Sequence, residues 1–207
     1  MPPHHSHGCS CGDDDAHVLL EGVQDYLYDK VDRDHVVALN VEQGREGKCV
    51  IRTWDEREQE DQYLESEADD QLILHVPFTG SIKLKSILIK AGPQGWTPDK
   101  VKVFSNQTLD FDEATSTACT QEFDIAATRG VTEYAVKPAK FPSVSSLTLF
   151  FPASTGEDTV RIFFVGFKGE HKPFTRDPVI TVYEAQANPA DHLKLPGIGS
   201  NVHSSIG

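Results

Sequence analysis

Residues 70–91 read DQLILHVPFTGSIKLKSILIKA. The stretch divides into two apolar, β-branched runs, 70–78 and 81–91, on either side of PFTGS (77–81), whose Pro, Thr, Gly and Ser have the composition of a turn. In the second run Ile82 and Leu84 alternate with Lys83 and Lys85, after which Ile87, Leu88 and Ile89 stand together. Alternation marks a strand with one wet face, and a continuous apolar run marks one covered on both, so the strand is half-exposed at one end and buried at the other. Similar short runs recur at 48–54 (KCVIRTW), 100–106, 121–126, 132–137, 145–151, 159–167 (TVRIFFVGF) and 178–185. Turn clusters separate them, among them SNQTLDFD (105–112) and GEHKPF (169–174). About nine strands with no helical pattern between them predict an all-β, antiparallel β-sandwich or jelly roll. A doubly wound fold would need helices in the connections. VRIFFVGF, with Arg161 as its one charge, reads as a central strand, and Gly166 marks a bulge or a close approach by another backbone.

The ends read differently. Residues 1–15, MPPHHSHGCSCGDDD, hold one Met and otherwise Pro, Gly, Ser, Asp, His and Cys, and have too little to bury, which predicts a disordered tail. Leu19, Leu20, Val23, Tyr26 and Leu27 recur at helical spacing, predicting a short amphipathic helix over 17–30, and DRDHVVALN continues as a turn with a second short helical or extended piece. One folded domain is expected over 16–192, followed by a Gly- and Ser-rich flexible tail, 193–207. A formal net charge of −13 over 207 residues disfavours nucleic acid as a partner. No apolar run approaches the length of a membrane span, and the N-terminus lacks the pattern of a signal peptide, so a cytoplasmic and nuclear protein that is monomeric and off the membrane is expected. In a reducing compartment Cys49 and Cys119 read as small buried hydrophobes.

The chain carries no phosphate-binding, dinucleotide-binding, zinc-protease or nucleophile-elbow motif. His4, His5, His7, Cys9 and Cys11 offer enough ligands for a four-coordinate ion. The tail around them supplies nothing to orient the ligands or exclude water, so the expected site is weak and adventitious. His17, His35, His75 and His171 are scattered, and no nucleophile accompanies the Glu170, His171 and Asp177 group. No cofactor is expected. Between Asp55 and Asp70 lie nine acidic residues against one Arg57. The run is either a solvated connection or an acidic recognition surface.

ESEADDQLILHVPFTG (65–80), FFVGFKGE (163–170) and YEAQANPADH (183–192), in that order, resemble the PITH domain. That family is a proteasome-interacting module found at the C-terminus of a thioredoxin-like protein and also as a stand-alone protein; the likeness covers roughly residues 17–192, and the His- and Cys-rich N-terminus is similar to the stand-alone members. No thioredoxin centre is present, so no redox activity carries over. The resemblance implies a galactose-binding-like jelly roll and a non-enzymatic adaptor or regulator of degradation that associates with the proteasome regulatory particle. The contact residues singled out for it are Glu65, Glu67, Asp69 and Asp70 in the acidic run and Asn188, Pro189, Asp191 and His192 near the end. Asn188 and Pro189 fit either a helix cap or a plain turn. Residues 193–207 are expected to order on binding, with His203 reaching a polar or metal-bearing pocket of the partner. The alternative is a jelly roll that binds a carbohydrate or other small polar molecule at its loop end, where Trp96 either stacks on a sugar or packs against the sandwich.

Overall fold

The computed structural model describes residues 25–174. It contains eight strands joined in one antiparallel sheet that folds over on itself: β1 Val37–Leu39, β2 Leu64–Glu65, β3 Leu72–Ala91, β4 Lys100–Ser105, β5 Gln121–Asp124, β6 Thr132–Ala135, β7 Val144–Phe151 and β8 Arg161–Pro173. The mostly antiparallel β architecture is as the alternation predicts.

The stretch 70–91 is one strand of twenty residues, not two strands about a turn. Through Leu72–Pro77 β3 lies between β1 and β7; from Gly80 onward it lies beside β8, with β6 on its other side at Ser86–Ile89. The register against β7 slips between Pro77 and Ile82, so PFTGS bends the chain from one layer into the other without reversing it. A turn-like composition arises because Pro77 cannot donate and because a Cβ on Gly80 would collide with the His171 ring and the Lys172 carbonyl of β8. Its partner is equally extended. GEHKPF does not turn: β8 continues to Pro173, opposite Gly80.

Two bulges set which side chains enter the core. Leu72, Leu74, Val76, Phe78, Ile82 and Leu84 share the main core with Ile87, Ile89 and Ala91, so the inward phase changes from even to odd positions. The change occurs at Lys85, the extra residue between the pairs Leu84↔Gly169 and Ser86↔Lys168. On β8 the extra residue is Phe163, between Ile162 and Phe164, so Ile162, Val165 and Phe167 all face the core. Leu88, Lys90, Phe163 and Phe164 are nonetheless buried, on the opposite face, which bears out the reading of that strand end as covered on both sides. Gly166 lies in regular pairing with Leu88; the close approach is by the Phe164 and Tyr26 rings, 2.8 Å from where a Cβ would stand.

Other local expectations change. KCVIRTW does not enter the sheet: Gly47–Val50 is a 3-10 turn, Trp54–Glu56 another, and Val50 and Ile51 are buried without a partner strand. SNQTLDFD contains the start of the α-helix Phe111–Ser116, announced by a capping box in which Asp110 accepts from the Glu113 amide and Glu113 accepts from the Asp110 amide. Of the helix expected over 17–30, residues 17–24 lie outside the described residues. Beyond them Tyr26 bridges to Lys168 and Tyr28–Lys30 is a 3-10 turn.

The helix and its flanks cover the outer face of the β1–β3–β7–β4 layer, with Ala114, Leu109, Phe111 and Cys119 packed on Ile73, Phe104 and Phe150. His75 sits beside this small core. Its Nδ1 lies 2.9 Å from the Thr148 hydroxyl, which itself donates to the Gln107 carbonyl at 2.5 Å, so Nδ1 carries the proton of the neutral ring. Burial holds the imidazole below its ordinary value. The unfolded chain therefore takes up a proton near pH ~6.5 that the folded chain resists, and stability falls as pH drops through that window. Denaturant midpoints at neutral and mildly acidic pH should separate further for the native protein than for His75→Gln, in which that contribution is absent.

Candidate functional site

The acidic run 55–70 is anchored by cations from the sheet and its flanks. Arg52, buried, donates through Nε to the Cys49 carbonyl at 3.0 Å, through Nη1 to Asp61 at 2.7 Å and through Nη2 to the Gln62 carbonyl at 2.5 Å. Lys90, whose side chain is 4% exposed, donates to the Glu58 carbonyl at 2.6 Å and is paired with Glu58 at 3.2 Å and Glu60 at 3.0 Å. A buried ammonium is tolerated only with such partners. Trp54 and Tyr63 complete the cover, with Tyr26 edge-on to Trp54 at 5.6 Å and Phe163 edge-on to Tyr63 at 5.8 Å. The Tyr26 hydroxyl donates to the Arg52 carbonyl at 2.5 Å, and burial keeps the phenol protonated far above its ordinary value. The run is therefore neither a freely solvated connection nor a bare patch. It is a strap fastened over the outer face of β3 and β8.

The four acidic residues singled out from the sequence divide accordingly. Glu65, on β2, accepts from Arg161 Nη2 at 2.8 Å and from the Thr159 hydroxyl at 3.1 Å. Asp69 accepts from the Asn40 side chain at 2.7 Å and from the Gln71 amide at 3.0 Å; Asp70 accepts from the Ser154 amide at 2.9 Å. These three organise the chain. Glu67 is exposed and its carboxylate has no partner among the described residues, and Asp55 is placed alike.

Beside the strap lies an open groove of about 610 Å³, lined by residues of the turns around Tyr28–Asp34, of 44–52 and of 56–62, with acidic Asp34, Glu46, Glu56 and Asp61 among basic Arg33, Arg45, Lys48 and Arg52. Arg33 stands 4.5 Å over the Tyr28 ring and donates to its hydroxyl. Arg45 stands 3.9 Å over Tyr63, and Arg161 lies 4.6 Å from the same ring and 4.9 Å from Trp96. Trp96 is half-buried, and one face of its ring is met by the Arg161 guanidinium. Cys49 and Cys119 are free and half-buried; burial pushes the Cys49 thiol up, and Cys49 Sγ donates to the Tyr63 carbonyl at 3.6 Å. Sequence reasoning missed the groove because its residues belong to separate turns and form no motif; the one available signal was Arg52, a charge inside an apolar run.

Among the described residues no group of three His, Cys, Asp or Glu side chains could hold a metal ion. Glu170 pairs with Lys85 at 3.2 Å rather than with His171. His4, His5, His7, Cys9 and Cys11, and likewise Asn188, Pro189, Asp191, His192, His203 and the strand expected at 178–185, lie outside the described residues.

The family model described as the PITH domain matches residues 17–187. The chain belongs to the PITH domain family. Relatives include PITH domain-containing protein CG6153 of Drosophila melanogaster, 40% identical over 208 aligned positions that cover 96% of this chain and 98% of that protein. PITH domain-containing protein 1 of Homo sapiens is 33% identical, with 91% of this chain and 92% of that protein covered. These PITH proteins carry no enzyme names. Among solved structures, the CBM32-1 and CBM32-2 domains from Clostridium perfringens ZmpB align with a TM-score of 0.54 at 13% identity, covering 74% of this chain and 38% of that one. The C-terminal domain of a chitobiase from Bacteroides fragilis aligns with a TM-score of 0.50 at 12% identity, covering 72% and 97%. The PITH fold here is thus that of the galactose-binding-like jelly rolls.

Proposed function

We propose that this PITH domain is a non-enzymatic interaction module that associates with the regulatory particle of the proteasome, as a monomeric adaptor or regulator of protein degradation in the cytoplasm and nucleus. The observation that carries the reading beyond the family resemblance is the fastened strap. Arg52 and Lys90 fix its backbone, so the outward carboxylates Asp55 and Glu67 are presented from a rigid support. An acidic surface held in place loses little entropy when it meets a basic one, and the net charge of −13 steers such an encounter. The carbohydrate reading has less support: the likeness to sugar-binding domains is one of fold at low identity, and Trp96 is engaged with Arg161.

Capture of purified proteasomes on the immobilised full chain tests this. Asp55→Lys with Glu67→Lys should weaken capture and flatten its dependence on salt, and a chain ending after His192 should capture less through loss of the segment that carries His203. Glu65→Lys is a poor substitute, since it also breaks the Arg161 pair. Absence of capture by the native chain would overturn the reading, and undiminished capture by both variants would overturn the assignment of its contacts to Asp55, Glu67 and the C-terminal segment.

A further inference from the structure

Among the described residues three hydroxyls are followed by two carboxylates within the next three positions: Thr53, ahead of Asp55 and Glu56; Ser66, ahead of Glu67 and Asp69; and Thr155, ahead of Glu157 and Asp158. The fold treats them differently. Ser66 is 2% exposed, and its oxygen accepts from the Val160 amide at 3.0 Å. Thr53 is half-buried, its hydroxyl donates to Glu56 at 2.9 Å, and the next residue, Trp54, packs edge-on against Tyr26. Thr155 alone is exposed together with both of its acids, and neither Glu157 nor Asp158 has an ion-pair partner among the described residues.

Thr155 lies in the loop 152–160 between β7 and β8, PASTGEDTV, which holds no basic residue. The loop rests on the 3-10 turn Gln94–Trp96. The Thr155 amide donates to the Thr97 carbonyl at 2.9 Å, the Glu157 amide to the Gly95 carbonyl at 3.1 Å, and the Thr155 hydroxyl to the Gln94 carbonyl at 3.0 Å. Those surface bonds are what residues 155–158 must open to lift away as an extended stretch, and openings of that kind lie at the low end of local stability. Gly156 adds no obstruction, since even a Cβ there would meet only Gly95 Cα at 3.5 Å. Gln94 has a φ of 51°, in the left-handed region that residues other than glycine seldom adopt, so the Thr155 hydroxyl helps to hold a strained turn.

We propose that Thr155 is a phosphorylation site, taken by a protein kinase that reads carboxylates at the second and third positions after the acceptor, and that the phosphate frees the loop from the Gln94–Trp96 turn. In the transfer a bond forms between Thr155 Oγ1 and the γ-phosphorus of a nucleoside triphosphate while the bond from that phosphorus to the bridging oxygen breaks; the diphosphate leaves, and the hydroxyl proton passes to the kinase's base. The esterified oxygen can no longer donate to the Gln94 carbonyl. The phosphate also brings a charge of about −2 beside Glu157 and Asp158, in a loop with no cation of its own to receive it. The inference is independent of the proteasome reading, since it uses neither Asp55 nor Glu67 nor the C-terminal segment.

The native full-length chain, incubated with ATP and an acid-directed Ser/Thr kinase and mapped residue by residue by mass spectrometry, provides the test. Phosphate should accumulate on Thr155 and not on Thr53 or Ser66. Thr155→Val, which keeps the branched shape, should lose that phosphate, and Glu157→Gln with Asp158→Asn should slow its appearance about fivefold, as suits two exposed charge contacts with the kinase. All the substituted residues are exposed, so amide spectra unchanged outside the loop and its turn show that the variants fold. In the phosphorylated native chain the Thr155 and Glu157 amides should exchange with solvent faster than in the unmodified one. No phosphate on Thr155, equal modification of Thr53 or Ser66, or a rate indifferent to the loss of both acids would refute the site; unchanged exchange at the two amides would refute release of the loop.

Discussion

Gly169→Ala should lower the stability of the domain by about 3 kcal/mol, at the upper end of what a single added methyl costs in a packed interior. Gly169 is buried in β8 opposite Leu84, one pair from the Lys85 bulge. A Cβ there would overlap the Lys83 carbonyl oxygen and stand 3.2 Å from Leu84 Cα, both backbone atoms of β3. No flexible side chain can yield, so either the bulge is lost or the two long strands separate locally. Loss of the bulge would also disturb the core, because Lys85 is where the inward phase of β3 changes. Gly156→Ala is the comparison: in its exposed loop the added methyl would meet only Gly95 Cα, at 3.5 Å, and the change should be near zero. Urea midpoints read the difference, and equal midpoints for the two variants would refute the close approach of β8 to β3.

Arg52→Ala should cost about 3 kcal/mol, whereas Asp61→Ala, which removes its ionic partner, should cost under about 1 kcal/mol. The asymmetry follows from burial. Arg52 has an 8% exposed side chain and satisfies the carbonyls of Cys49 and Gln62 as well as Asp61. Asp61 is 62% exposed and returns to water when unpaired. Removing the guanidinium strands buried carbonyl oxygens and releases the strap; removing the carboxylate leaves the guanidinium bonded to the backbone. Limited digestion with a glutamate-specific protease should cut Arg52→Ala between 56 and 60 well before the native protein. If Asp61→Ala were the more damaging change, the strap would be held by the ion pair and not by the backbone bonds.

The strands and their apolar alternation were legible because they are local properties of segments such as KVKVFS and SSLTLFF. Continuity was not. Whether PFTGS reverses the chain or bends it depends on β7 and β8, which approach from more than sixty residues away, and the same composition serves either outcome. The bulges at Lys85 and Phe163 likewise exist only in the pairing. KCVIRTW misled for a different reason: Val50 and Ile51 are apolar for packing, while Arg52 collects the carbonyl bonds of neighbouring loops that a strand would have given to a neighbour. The strap looked like a solvated run or a recognition surface because its charges outnumber its one Arg in sequence; the cations that hold it, Arg52, Lys90 and Arg161, come from elsewhere in the chain. Of the acidic candidates, Glu65, Asp69 and Asp70 have internal duties that no local pattern marks.

β3 belongs to both layers of the sandwich, and this has a mechanical consequence. Two sheets joined only by loops can slide or gape, each keeping its own ladder. Here the rows of hydrogen bonds on either side of Pro77 are carried by one backbone, so pulling the layers apart would tear ladders in both. The domain should respond to load as a single element, with slowly exchanging amides along β3 from Leu72 to Ile89 and no independently softening half. A partner that pulls on this protein would meet a rigid body until the whole of it gives way.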